Sequence, residues 1–127
     1  MPETVKINEA LNIIEVDSFS EVTTADLHNS LKQVIKLYEE HNICWVLCDT
    51  TAQESMPSLR EYKVFIEQIP SFLSIAIVVS PSSETRDLQH TGEAFSLKSR
   101  TPYKLFYERS KAIKWLSSIR SMSQKIN

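Results

Sequence analysis

Apolar and polar positions along the chain fall into runs whose period changes from element to element. Residues 4–8 and 12–17 are short β-rich runs split by a polar turn, which predicts an N-terminal hairpin. From Thr23 the period becomes helical, with Leu27, Leu31, Val34, Ile35 and Tyr38 on one face. Thr23 and Asp26 have the spacing of a capping box, and Val22 is placed to staple onto Leu27. This helix is expected to end near His41 and Asn42. Residues 43–48 are apolar without alternation, the signature of a strand covered on both faces in a parallel sheet.

The stretch DTTAQESMP reads as a polar loop leading to a second helix over 58–69, with Leu59, Tyr62, Phe65, Ile66 and Ile69 inward and Pro70 ending it. Residues 74–80 are again strand-like. Pro81, Ser82 and Ser83 open a third helix towards Arg100, in which Gly92 suits close packing on the sheet beside Leu88 and Phe95. A last strand over 103–107 and a final helix over 110–121, with Ala112, Ile113, Trp115, Leu116 and Ile119 inward, complete the pattern. The order ββαβαβαβα predicts a single α/β domain over 1–127. Its sheet is mostly parallel, of four to five strands, with an N-terminal antiparallel edge strand and four main helices.

Composition narrows the chemistry. The chain has 127 residues, 42% hydrophobic and 24% charged, which suits one domain with one core. Gly92 is the single glycine, so neither a dinucleotide fingerprint nor a phosphate-cradling Walker loop can be assembled. No run approaches the ~20 apolar residues of a membrane span, and MPETVKINEA lacks the marks of a signal peptide, so no membrane span and a cytoplasmic location are expected. Cys44 and Cys48 read as buried structural thiols, and Trp45 and Trp115 as core or helix–sheet contacts. Residues 1–97 carry 6 Lys and Arg against 15 Asp and Glu, whereas residues 98–127 carry 8 against 1. Lys111, Lys114 and Arg120 have the spacing of a solvated helix face, and the interleaved aromatics of a nucleic-acid surface are missing, so no nucleic-acid partner is expected.

Four segments carry a family likeness: VTTADL before the first helix, VLCD ending in Asp49, IAIVVS, and LFYERSKAIKWL. Together they resemble the SpoIIAA-like family of the STAS superfamily, over about Ile13 to Leu116. That resemblance implies a small α/β domain of the anti-sigma-factor-antagonist type, which works through protein contacts and sometimes ligand binding rather than catalysis. Lipid-carrying domains of the CRAL-TRIO type look similar in fold. In the antagonist branch a modified Ser or Thr lies by an Asp-Ser-Ser-Gly motif where the helix after the Asp-ended strand begins. Here that stretch reads MPSL. Only Ser58 falls on the modified position, with Pro57 in place of an acidic residue and Arg60 in place of glycine, while Asp49 matches the strand-ending aspartate.

In a parallel sheet, ligands and partners meet the carboxyl ends of the strands. The candidate partner or anion-binding surface there is Asp49, Thr50, Thr51, Ser55, Ser58, Ser82 and Ser83, with Glu108, Arg109 and Ser110 reaching the same edge. Hydroxyls near positive helix ends suit an anion, and the same hydroxyls are natural helix caps, Ser58 with Glu61 forming a capping box. His28 on the polar side of helix one, His41 at its end and His90 form no metal pattern and no triad, so neither a metal nor a catalytic residue is expected, and no cofactor. The leading reading is a non-enzymatic regulatory or protein-interaction module docking a protein partner or its own copy as a homodimer. The alternative is a carrier or sensor of a small hydrophobic or anionic, lipid-like ligand, which requires a cavity between helices two and three and the sheet. A hydrolase comes last.

Overall fold

In the computed structural model, which describes residues 2–80 and 102–126, Asn8 turns the chain back on itself. Its Oδ1 accepts the Leu11 N–H at 3.1 Å, and Asn12 takes the left-handed conformation that asparagine tolerates, at φ 56°. Strand β1 (Glu3–Asn8) thereby pairs antiparallel with β2 (Ile13–Glu21), the expected hairpin with a longer second arm.

Helix α1 (Thr24–His41) starts and stops on local chemistry. The Thr23 hydroxyl accepts the Asp26 N–H, and the Asp26 carboxylate accepts the Thr23 N–H at 2.8 Å, which closes the capping box. At the other end Asn42 is left-handed and donates its N–H to the Tyr38 carbonyl at 2.7 Å.

Strand β3 (Trp45–Ser55) corrects the expected loop. Its apolar half pairs with β4 (Ser74–Val78), and its polar half runs on beside β2, with Phe19 opposite Ala52 and Glu21 opposite Ser55. Asp49, Thr50, Thr51 and Ser55 are therefore strand residues, and only Met56, Pro57 and Ser58 connect β3 to α2 (Leu59–Glu67). The polar composition reflects a half-covered strand: Thr50 and Gln53 are buried, whereas Thr51, Ala52, Glu54 and Ser55 are exposed.

Strand β5 (Tyr103–Phe106) and helix α3 (Arg109–Ile126) follow. The sheet order is β1-β2-β3-β4-β5, all parallel except β1 with β2. The helix expected over 81–100, with Ser82, Ser83, His90 and Gly92, lies outside the described residues.

Because side chains alternate along a strand, the sheet feeds two cores. Ile14, Val16, Val46, Ile75 and Ile77 pack with Leu27 and Val34 of α1 and Tyr62 and Ile66 of α2. Ile13, Leu47, Ala76 and Val78 pack with Ala112 and Leu116 of α3. Trp115 lies against Phe106 at 5.7 Å, and the Arg120 guanidinium covers Trp45 at 5.1 Å, so both tryptophans serve helix–sheet contacts as expected. Among the described residues no helix is long and apolar enough to cross a membrane.

Candidate functional site

The carboxyl ends of β2 and β3 bring some predicted residues together and part others. Asp49 Oδ1 accepts both the N–H and the hydroxyl of Thr51, at 3.0 and 2.7 Å. Arg109, the first residue of α3, lies 3.9 Å from the other Asp49 oxygen and forms an ion pair with Glu15. Glu15 is a buried carboxylate in mid-strand that also accepts from Asn8 Nδ2 at 3.2 Å. Thr50 alternates to the opposite face, is buried, and donates to the Val78 carbonyl at 2.9 Å. Ser55 stands exposed at the strand end, and Ser58 caps α2 by accepting the Glu61 N–H at 3.4 Å. Half of the expected capping box is redirected, since the Glu61 carboxylate accepts from the Thr24 hydroxyl at 2.8 Å.

Sequence reasoning passed over Glu15, Glu3, Phe19 and Gln53. The signal for Glu15 was a lone acid inside IIEV, a run that two covering layers make buried throughout. His28 also departs from expectation. It is half-buried, edge-on against Phe65 at 5.7 Å, because α2 packs beside that side of α1.

Where β2 and β3 run out, a shallow depression of about 530 Å³ opens between Pro2, Phe19, Ser20, Glu21, Asp26 and Glu54. The β2–β3 register shifts on either side of Phe19 and Ser20 sits at φ 56°, a bulged segment of the kind that re-aims a side chain. Phe19 remains 38% exposed. The Thr23 N–H and hydroxyl hold the Asp26 carboxyl below its ordinary value, so it stays ionised beside Glu21 and Glu54.

Beneath α1 and α2 lies a second feature, an apolar cavity of about 70 Å³. Val16, Val46, Ile75 and Ile77 form its floor, Leu27 and Val34 its roof. Glu3 reaches its wall from β1, where burial raises the carboxyl pKa against the opposing hydrogen bonds from Ser30 and Ser18. Burial, with the nearby Glu3, Asp17 and Asp49, also pushes up the Cys48 thiol, and burial raises the Tyr62 phenol, which bonds to the Tyr103 hydroxyl. Cys44 and Cys48 are free thiols: Cys44, which precedes β3, is half-buried, and Cys48 faces the cavity, where the apolar wall desolvates its thiol. Among the described residues no group of His, Cys, Asp and Glu is arranged to hold a metal ion.

No protein-family model matches the chain, and no curated protein matches it. Its structure is similar to that of an uncharacterized protein of the DUF3478 family from Shewanella loihica PV-4, described as having a SpoIIAA-like fold. The likeness has a TM-score of 0.55 at 16% identity and covers 90% of this chain and 91% of that one. The chain has a SpoIIAA-like fold.

Proposed function

We propose that the protein is a non-enzymatic regulatory interaction module that docks a basic segment of a protein partner on the depression around Phe19. The observation that carries this reading is an aromatic ring, 38% exposed, set among Glu21, Asp26 and Glu54. An apolar anchor inside a charged rim is the arrangement interfaces use, the ring supplying affinity and the rim steering a partner of opposite charge. A binding role rather than catalysis is supported by the chemistry on the two faces of the sheet. There Asp49, Thr50, Glu15 and Arg109 bond to one another or to the backbone, while burial favours the protonated forms of Cys48 and Tyr62. A cytoplasmic site of action belongs to the same proposal. The test is affinity capture from the native host with wild type, Phe19→Ser and Glu54→Lys proteins. Both variants are expected to lose the same basic partner and keep the wild-type circular dichroism. An unchanged partner set in both removes the reading.

A further inference from the structure

We infer that the cavity beneath α1 and α2 is a binding site for one small, uncharged, wholly apolar molecule no larger than a single ring. The polar side chains on its wall are turned to protein partners. Ser30 donates to Glu3 at 2.7 Å, Gln53 Nε2 to Ser18 at 3.1 Å and Thr50 to the Val78 carbonyl at 2.9 Å, and the Tyr62 and Tyr103 hydroxyls bond to each other. A ligand hydroxyl would compete with these bonds for the same atoms, whereas an apolar surface needs no partner. An anionic headgroup fares worse. Among the described residues the wall holds no lysine, arginine or histidine, and Glu3 would face the incoming carboxylate.

Volume sets the size. An engineered apolar cavity of ~150 Å³ in another protein stays dry and takes benzene, and this one offers about 70 Å³. The difference lies within reach of three side chains on the wall that lie outside the sheet and are only partly buried: Leu31 on α1, Met56 in the β3–α2 connection and Phe65 on α2. An unbranched methionine adapts to irregular space more readily than the β-branched residues of the floor. A lipid chain exceeds what those three side chains can release, so the site selects a compact molecule.

The test uses benzene and hexanoate as probes, read by methyl NMR of the leucine, isoleucine and valine side chains. Benzene is expected to shift the Leu27, Val34 and Ile75 methyls saturably, and hexanoate to leave them in place. Val34→Leu takes up part of the cavity and is expected to weaken benzene by about tenfold, since the added methylene occupies space the ring needs, whereas Ile75→Val widens it and strengthens binding. Absence of a saturable benzene shift in both wild type and Ile75→Val overturns the inference, as does hexanoate binding as tightly as benzene. Phe19→Ser, which alters only the docking surface, is expected to bind benzene as wild type does, so the two proposals stand or fall separately.

Discussion

Glu15 sits in the middle of β2 with its side chain 7% exposed, and the Arg109 guanidinium supplies the cation that makes such a position tolerable. The pair ties the first turn of α3 to the sheet, and Asp49 at 3.9 Å adds a second carboxylate. Removing one partner strands the other's buried charge, whereas removing both does not. Because Arg109 is 42% exposed and water reaches it, Arg109→Met is expected to cost about 2 kcal/mol in urea unfolding, below the 3–5 kcal/mol of a fully buried pair. Glu15→Gln in the same chain should restore most of that loss. An additive double variant would show that the ion pair carries no coupling. The buried acids on the other face give a pH signature. Cys48 and Tyr62 are held above their ordinary values of 9.0 and 10.0, so above about pH 9 the unfolded chain releases protons that the native one keeps. Stability should therefore be unaffected by these groups below that point and fall as pH rises, by about 1.4 kcal/mol per group and pH unit. Urea midpoints measured from about pH 9 to 11 should decline, and less steeply in Cys48→Val. A flat wild-type profile would contradict the burial of both groups.

Helix α2 has nine residues, below the ~12–15 at which an isolated helix holds together, so its ends and its packing decide whether it forms. Among the described residues Ser58 is the cap its N-terminus shows, the Glu61 carboxylate being turned to Thr24 on α1. Ser58→Ala is therefore expected to lower stability by about 1 kcal/mol in urea unfolding. Ser58→Glu, which keeps negative charge at the positive end of the helix, should lose less. If partner capture changes with Ser58→Glu while stability does not, Ser58 acts as a switch and not as a cap. The contrast between α1 and β3 shows what a sequence can carry. Both ends of α1 are written in contiguous residues, Thr23 with Asp26 and Asn42 with Tyr38, so the helix was legible. The strand character of 49–55 is not local. It depends on pairing with an equally polar stretch of β2 through a bulge, and only the assembled sheet shows that Asp49 and Thr50 face opposite layers. The candidate site inherits the same limit: Asp49, Thr51 and Ser58 were in view, whereas Phe19 and Glu15 acquired their roles from neighbours distant in the chain.

The sheet as a whole has two edges, and β1 forms one of them. The Pro2 carbonyl accepts the Phe19 N–H at 2.8 Å, which fixes the alternation along β1: even-numbered residues bond to β2, and Glu3, Val5 and Ile7 turn their N–H and C=O groups outward. An edge of six residues whose exposed side chains are Thr4 and Lys6 is only lightly guarded against pairing. Charge alone would suggest a different contact, the acidic depression of one copy against the basic α3 of the next. That arrangement is head-to-tail and continues without closing unless its rotation happens to form a ring, whereas antiparallel pairing of β1 with β1 presents the same surface from both copies about a two-fold axis and ends at a dimer. The chain is therefore expected to sediment as a dimer at micromolar concentration, with one continuous sheet across the axis. Val5→Pro removes an outward N–H without touching the β1–β2 ladder, a position where an edge strand accepts proline. It should sediment as a monomer with unchanged circular dichroism. A wild-type protein that stays monomeric at that concentration, or a Val5→Pro protein that still dimerises, rules out the β1 edge as the contact.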